Sequence, residues 1–253
     1  MLLIMSKIQH PHGNLRSYVL KFFRNFLTYA ITFIVGFFCK LGKNDRIIIS
    51  SAVYCPWRED KDFFNFYKKI QNLTLLDLPR AYTLWSASKN LKNYNADILD
   101  LGCLQGGSGF LMSNQNSKGK TLLFDTFESF KTSDGLHTKE TFLFKDIQVV
   151  KRNIKIFNLK NTHVFKSRFP NDLSIKIKKI KLCHFDVNVY LETKACFEFV
   201  NKRLIRGGVL VFDDYGIWGV DGIKKFISYA YKKYSKNYNF IKNYMGQCLL
   251  IKR

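Results

Sequence analysis

Short apolar runs alternate along most of the chain with longer segments whose apolar residues recur at helical spacing. A short run of this kind is typical of a buried strand. The runs are Ile98–Leu101, Thr121–Phe124, Thr162–Phe165, Leu182–Phe185 and Val209–Phe212. Strands that alternate with helices in this way predict an α/β fold on a largely parallel sheet.

The segments between these strands have helical spacing. The predicted helices are Asp60–Gln71, Leu78–Leu91, one opening at Phe110–Ser113, Lys145–Leu159, Leu191–Leu204 and Val220–Tyr234. We expect Gly207-Gly208 to end the fifth of them. Asn239–Ile241 and Gln247–Ile251 are expected to be closing strands, and Arg46–Tyr54 a strand or connector. The first two helices precede the first strand, so we expect them to cover the site or one face of the sheet.

Residues 1–50 follow a different pattern and form a predicted N-terminal helical extension to a main domain over residues 51–253. Basic residues lie among apolar ones in Leu15–Phe26, and Phe26–Cys39 is uncharged and apolar. That uncharged run is shorter than the roughly 20 residues needed to span a bilayer, and it is poorly placed for a cleaved signal peptide. The pattern favours an interfacial membrane anchor. A helix packed on the main domain, or a single span over Tyr18–Cys39, are the alternatives.

The composition adds a large core and a strong positive charge. Hydrophobic residues make up 47% of the 253 residues, which excludes a globally disordered chain. Six dispersed cysteines without a Cys-x-x-Cys pair favour a reduced intracellular protein over a disulfide scaffold or a zinc site. The net charge of +22 indicates either an anionic partner or lysines on solvated faces. A nucleic-acid-binding or nucleic-acid-modifying basic protein is therefore the alternative function.

A glycine-rich loop follows the first predicted strand. Gly102, Gly106 and Gly107 allow the backbone to approach a ligand, and the helix after Ser108 presents free N–H groups. The spacing differs from the Gly-x-Gly-x-x-Gly of dinucleotide-binding enzymes. Asp125 ends the next strand, where an acidic residue can accept hydrogen bonds from ribose hydroxyls. The alternative is that Asp125 only caps a helix or turn.

Three carboxylates lie at the carboxyl ends of two further strands: Asp186 after one, Asp213 and Asp214 after the other. Ligands of open α/β sheets bind outside these ends. Side chains alternate along a strand, so Asp213 and Asp214 can both face the site only where the strand ends. Three carboxylates favour Mg²⁺ or a similar cation, which can orient and acidify a substrate hydroxyl. The alternative is a capping role for Asp213 or Asp214.

Two further segments have weaker signals. Thr126–Phe144 is long for a connection and is a candidate lid or substrate loop. It contains His137, for which we weigh a catalytic role against that of an ordinary solvated histidine. The basic run Ser174–Lys181 has no interleaved aromatic residues, so we expect a solvated connector rather than a nucleic-acid patch.

Taken together, these motifs resemble the macrocin O-methyltransferase family, whose members are class I S-adenosylmethionine-dependent enzymes that methylate sugar hydroxyls. The resemblance covers roughly Pro56 to the end of the chain and leaves residues 1–50 unaccounted for. The matching elements are Ile98-Leu-Asp-Leu-Gly102 with Gly106-Gly107-Ser108, Asp125-Thr-Phe-Glu128, Asp186-x-Asn-x-Tyr190-x-x-Thr193, Gly207-Gly208 and Phe212-Asp-Asp-Tyr-Gly216. The segment Thr74-Leu-Leu-Asp77, with Arg80, Tyr82 and Trp85, also fits.

The resemblance implies a Rossmann-like, seven-stranded, mostly parallel sheet whose last strand is antiparallel. It implies that Asp100 and the loop Gly102–Ser108 bind the methionine part of S-adenosylmethionine, with Asp125 on the ribose. It also implies a divalent metal held by Asp186, Asp213 and Asp214 on vicinal sugar hydroxyls. Asp186 is then the first candidate for the catalytic base, and His137 the second.

The chain departs from the family pattern at Asn188, where members commonly have Asp, and in the Ser-Phe after Glu128, where they often have Gly-Leu-Pro. Asn188 keeps an oxygen ligand but loses a charge. With the N-terminal helix, the resemblance predicts a lipid-linked or surface glycan as acceptor, at the cytoplasmic face of the membrane. The predicted contact with anionic membrane runs through residues 15–40, no nucleic acid is expected, and a homo-oligomer is left open.

Overall fold

The computed structural model describes residues 15–38, 55–128, 146–217 and 220–253. The chain divides into two compact units, Met1–Pro56 and Trp57–Arg253. The first unit contains helix α1, Leu15–Phe38. Within the described residues, no helix combines the length and apolar character that crossing a membrane requires. The strand or connector predicted over Arg46–Tyr54 lies outside the described residues.

Strands and helices alternate in the second unit, as the hydrophobic pattern predicted. The helices are α2 Lys61–Ile70, α3 Leu78–Asn90, α4 Gly107–Asn114, α5 Ile147–Ile156, α6 Tyr190–Asn201 and α7 Asp221–Tyr234. The strands are β1 Asp97–Leu101, β2 Thr121–Asp125, β3 Thr162–Lys166, β4 Ile180–Phe185, β5 Leu204–Phe212, β6 Tyr238–Lys242 and β7 Cys248–Lys252.

The seven strands form one sheet in the order β3-β2-β1-β4-β5-β7-β6. β1 pairs in parallel with β2 and β4, and β4 pairs in parallel with β5. β7 is antiparallel to both of its neighbours, β5 and β6. The Rossmann-like sheet with an antiparallel last strand is therefore confirmed. The carboxyl ends of β1, β2, β4 and β5 meet at one edge, where ligands of such sheets bind.

Each face of the sheet is covered by its own set of helices. α6 and α7 bury Phe197 and Phe226 in a core with Phe185 and Phe212 of the sheet. α2 to α5 cover the other face, where Trp85 of α3 belongs to the second core. The expectation that the first two helices cover a sheet face is confirmed. The five described cysteines are free thiols, and four of them are buried.

Side-chain caps fix where α2 and α3 begin. Asp60 accepts a hydrogen bond from the Phe63 N–H at 3.1 Å, and Asp77 accepts one from the Arg80 N–H at 2.9 Å. Such a cap satisfies a backbone donor that the first helical turn leaves free. With α3 starting at Leu78, Arg80 lies in its first turn.

Two predicted boundaries were wrong. α4 begins at Gly107 rather than near Phe110. Gly207-Gly208 does not end the preceding helix, because α6 stops at Asn201 and both glycines lie inside β5. The β4–β5 register jumps between the Ile180–Leu204 and Leu182–Val209 pairs. Gly207, with φ of 75°, therefore lies in a bulge, which is a common place for glycine in a strand.

The prediction that the basic run Ser174–Lys181 is a solvated connector was wrong for the end of the run. Its last two residues begin β4, and the Lys181 side chain is fully buried. Its ammonium group donates hydrogen bonds to the carbonyl oxygens of Tyr94 at 2.9 Å and Lys118 at 2.7 Å. The burial of Lys181 could not be predicted from the sequence, because the alternation of Ile and Lys also fits a surface connector.

Candidate active site

A cavity of about 880 Å³ opens at the sheet edge where β1, β2, β4 and β5 end. Six predicted site residues line it: Gly102, Ser108, Asp125, Asp186, Asp213 and Asp214. A volume of this size suits a substrate and a cofactor of drug-like dimensions. His137 lies outside the described residues.

The glycine-rich loop forms one wall of the cavity. Gly102 has φ of 86°, and a Cβ on it would lie 2.3 Å from the backbone oxygen of Asp186. Gly106 has φ of 92° and directly precedes α4. The loop therefore lies against the end of β4, with the N-terminus of α4 at the cavity.

Asp125 joins this loop to the end of β2. Its Oδ2 accepts a hydrogen bond from the Leu104 N–H at 2.8 Å, and its Oδ1 accepts one from the Phe127 N–H at 2.8 Å. Burial raises the pKa of Asp125, and these two hydrogen bonds oppose the rise. Each carboxylate oxygen has a second lone pair. The local capping role and the predicted contact with a ribose are therefore compatible.

Asp100 lies beneath the loop and is fully buried. Its Oδ2 accepts a hydrogen bond from the Ser108 hydroxyl at 2.7 Å. Its Oδ1 lies 2.7 Å from Nδ1 of His184, which is also fully buried. The structure thus places Asp100 as a support for Ser108 on the cavity wall and brings in His184, which the sequence analysis did not single out.

The carboxylates form the opposite wall. One ligand atom each from His184, Asp186 and Asp213 lies within 4.8 Å of the other two. Asp214 has φ of 58°, so the chain turns sharply where β5 ends. Asp213 and Asp214 therefore both reach the cavity, as an ending strand allows.

Arg80 reaches across from α3 to bridge the aspartate pair. Its Nη1 lies 3.2 Å from Asp213 Oδ2 and 3.2 Å from Asp214 Oδ1. Its Nη2 donates to the Leu75 carbonyl oxygen at 3.2 Å, and its side chain is 15% exposed. The amide of Asn188 donates to the other oxygen of Asp214 at 3.1 Å. The residue that departs from the family pattern is thus part of the site.

The two buried aspartates have opposite pKa shifts. Burial, followed by repulsion from Asp213, raises the pKa of Asp186 well above its ordinary value. Burial also acts to raise the pKa of Asp213, but attraction to His184 and Arg80 outweighs it and lowers the pKa. Carboxylates with opposite shifts can take opposite roles, one exchanging a proton and the other remaining ionised.

Burial lowers the pKa of His184, but its contacts with Asp100 and Asp213 outweigh this and raise the pKa to about 10. At 3.7 Å, its Nε2 is too far from Asp213 Oδ2 for a hydrogen bond and makes a charge contact. The buried pair of His184 and Asp100 therefore links the loop that holds Ser108 to the carboxylate wall.

The donor atoms of this wall fit a divalent cation. Among the described residues, Asp213 Oδ1 is buried without a hydrogen-bond partner. A buried oxygen of this kind is costly unless something binds it. Carboxylate oxygens of Asp186 and Asp213 are the ligands that hard divalent cations take.

Sequence reasoning missed His184 and Arg80 as site residues. His184 stands in an apolar run and has the pattern of a core residue. Arg80 stands in a predicted helix, where an arginine is usually solvated. Asp77 was the sequence signal that could have placed Arg80. An aspartate just before an apolar helical pattern is a typical N-cap, and Arg80, three residues after it, then lies in the first turn of the helix.

The family model for macrocin O-methyltransferase (TylF) matches residues 86–243. No curated protein sequence matches the chain. The O-methyltransferase NovP has 16% sequence identity and a TM-score of 0.63, over 71% of this chain and 82% of NovP.

Two further solved structures share the fold. The calicheamicin methyltransferase CalS11 has 12% identity and a TM-score of 0.54, over 83% of this chain and 99% of CalS11. The SAH-bound methyltransferase PaMTH1 of Podospora anserina has 10% identity and a TM-score of 0.56, over 81% of this chain and all of PaMTH1 (100%). At these identities the likeness shows the fold alone.

Proposed function

The chain belongs to the macrocin O-methyltransferase family, and from this membership we propose that it transfers the methyl group of S-adenosylmethionine to a sugar hydroxyl with the help of a divalent cation. One observation carries the proposal. The glycine loop with Asp125 and the carboxylate wall of Asp186, Asp213 and Asp214 line a single cavity. A methyl donor on the first wall would therefore face an acceptor on the second.

The donor side has the features that a nucleoside with a charged amino-acid tail requires. The N-terminus of α4, which begins at Gly107, offers backbone N–H groups beside Ser108 on the cavity wall. Asp125 offers a carboxylate for ribose hydroxyls. Ser108, held from below by Asp100, adds a fixed hydroxyl oxygen. These residues would hold S-adenosylmethionine, which supplies the methyl group on a sulfonium that leaves readily.

The acceptor side supplies a proton acceptor. S-adenosylmethionine would supply its methyl group to the acceptor oxygen and leave as the thioether, and Asp186 would take the hydroxyl proton. Asp186 is the first candidate for this base, because its carboxylate lines the acceptor side of the cavity. A divalent cation at Asp186, Asp213 and Asp214 would orient neighbouring hydroxyls and acidify one of them. Arg80 holds Asp213 and Asp214 in place.

We further propose that the acceptor is a lipid-linked or surface glycan, modified at the cytoplasmic face of the membrane. Exposed aromatic residues of α1 support this: Phe33 is 80% exposed and Phe37 is 82% exposed. Apolar side chains on a helix flanked by basic residues are typical of a segment that lies in the membrane interface.

The test of the enzymatic proposal is transfer of a labelled methyl group from S-adenosylmethionine to glycan acceptors, with and without EDTA. We expect incorporation that EDTA abolishes and that Asp213→Asn lowers at least 100-fold. Asp62→Asn, on the exposed side of α2, is the matched control and should keep full activity. Full activity in EDTA would overturn the metal, and methylation of RNA instead of glycan would overturn the acceptor class.

A further inference from the structure

His184 has one ring nitrogen engaged and one directed to the carboxylate wall. Nδ1 lies 2.7 Å from Asp100 Oδ1. In the described part of the chain, Nε2 has no hydrogen-bond partner, although the residue is fully buried. Asp213 Oδ1 is also buried without a hydrogen-bond partner among the described residues. The distance between His184 Nε2 and Asp213 Oδ2 is 3.7 Å. Two buried atoms at one place that make no hydrogen bond to a described residue favour a ligand that both can bind.

We propose that Nε2 of His184 is itself a ligand of the divalent cation, in a set with Asp186 and Asp213, and that this cation is a first-row transition metal such as Mn²⁺ or Co²⁺ rather than Mg²⁺. This inference rests on the metal-assisted part of the proposed function. It changes the ligand set that the family resemblance implied, and it changes the kind of ion, Mg²⁺ or a similar cation, that the three carboxylates favoured in the sequence.

The spacing suits a metal site that tightens on binding. One donor atom from each of the three residues lies within 4.8 Å of the others. Metal–ligand distances of about 2.1 Å place neighbouring ligands roughly 3 Å apart and opposite ligands about 4.2 Å apart. Neighbouring donor atoms would approach one another by up to roughly 2 Å on binding, which is about an ångström for each side chain.

The contact between Asp100 and His184 is the support that a metal-binding histidine normally has. Such a histidine donates its other ring N–H to a carboxylate, which fixes the ring and makes the free nitrogen more basic. Asp100 does this through Oδ1 while its Oδ2 holds Ser108.

Asp214 is less available than the sequence suggested. Its Oδ1 lies 3.2 Å from Arg80 Nη1, and its Oδ2 accepts the Asn188 amide at 3.1 Å. Asp213 is bridged by Arg80 only through Oδ2. Both oxygens of Asp214 are thus engaged by neighbouring side chains, whereas His184 Nε2 makes no hydrogen bond to any described residue. On this ground we assign the third donor position to His184 and a positioning role to Asp214. An imidazole nitrogen favours Mn²⁺, Co²⁺ or Zn²⁺ over Mg²⁺, which prefers oxygen and water.

The test uses the full chain and Mn²⁺ alone, without methyl donor or acceptor. Electron spin echo envelope modulation of bound Mn²⁺ should show an imidazole nitrogen in direct coordination. His184→Gln should remove that nitrogen signal and weaken Mn²⁺ binding at least 10-fold by calorimetry, with little change for Mg²⁺. His163→Gln, at an exposed position of β3, is the matched control and should keep both.

Asp214→Asn separates the two ligand sets. We expect it to keep the nitrogen signal and to weaken Mn²⁺ binding no more than about threefold. Bound Mn²⁺ with oxygen ligands only, or no Mn²⁺ binding at all, would overturn the inference. Both outcomes are measured on the unmodified chain, so they do not depend on the folding of a variant. The spectroscopic measurement does not depend on methyl transfer. A nitrogen signal in a chain that transfers no methyl group would therefore contradict the proposed function and support this inference.

Discussion

At the scale of single residues, environment rather than residue type separates the roles of the aspartates. Asp186 and Asp213 follow neighbouring strands and look equivalent in the sequence. Burial next to a like charge raises the pKa of one, whereas Arg80 and His184 lower the pKa of the other. The sequence could place these carboxylates, because strand ends are readable. It could not assign their charges, since the groups that set them come from α3 and from inside β4.

Asp186→Asn tests the assigned proton acceptor. We expect methyl transfer to fall by about 10² to 10⁴, the range for loss of a general base. The melting temperature should stay the same or rise, because an amide replaces a buried carboxyl group that repels Asp213. Activity is read with labelled methyl donor and stability by calorimetry. Activity within threefold of the parent would assign the proton to another group.

Arg80→Met tests the bridge over the aspartate pair. Removing one partner leaves buried carboxylate charge uncompensated, which costs about 3 kcal/mol in comparable pairs. We expect a loss of this size in the free energy of unfolding, measured with urea. Arg206→Met, at an exposed position in β5, serves as the control and should change stability by less than about 0.5 kcal/mol. Equal effects in the two variants would contradict the bridge.

At the scale of elements, the order of strands and helices followed from hydrophobic periodicity, and the local irregularities did not. The pattern predicted the five strands from β1 to β5 because each contains a short apolar run with buried residues. It placed Gly207-Gly208 at a helix end, since glycine after a helical pattern is usually a C-cap. In the structure the pair lies in a bulge of β5. Only the pairing with β4 distinguishes these two uses of glycine.

The loop after β1 makes a prediction about two glycines with similar backbones. Gly102 has φ of 86° and no room for a Cβ, whereas Gly207 has φ of 75° and its nearest neighbour would be 3.9 Å away. Gly102→Ala should therefore weaken S-adenosylhomocysteine binding at least 10-fold by calorimetry. Gly207→Ala should cost only the roughly 1–2 kcal/mol of a left-handed alanine and keep the affinity. Unchanged affinity in Gly102→Ala would remove the loop from the cofactor site.

The buried start of β4 gives a prediction about pH. Burial lowers the pKa of Lys181 from 10.5 to about 8, so between these values the unfolded chain holds a proton that the folded chain has lost. Stability therefore rises with pH across that window. We expect the free energy of unfolding of the parent to gain on the order of 2 kcal/mol over Lys181→Met between pH 8 and 10.5. A constant difference would mean that the ammonium is not desolvated.

At the scale of the whole molecule, the chain combines a catalytic unit with α1. The resemblance seen in the sequence covers the catalytic unit, and the family match over residues 86–243 confirms it. The role of α1 stays a prediction. Composition could not decide it, since an amphipathic helix pattern serves a membrane surface and a protein partner equally well.

Vesicle sedimentation tests the role of α1. The full chain should bind vesicles containing anionic lipid, because basic residues attract the surface while aromatic residues enter it. Replacing Phe33 and Phe37 with serine should lower binding at least fivefold and leave methyl transfer to a soluble acceptor intact. Replacing Tyr231, an exposed aromatic residue of α7, is the control. Equal binding by both variants would contradict the anchor.

The pairing of β1 with β4 sets Asp100 opposite His184. One of these residues supports the cofactor loop and the other the carboxylate wall, so a single alignment of two strands builds both halves of the site. A slip of one residue between the two strands would turn one of these side chains to the opposite face of the sheet and break the contact that joins the two halves. Cofactor binding at the glycine loop and cation binding at the carboxylate wall therefore depend on the same strand pairing. A molecule in which this pairing fails should lose both.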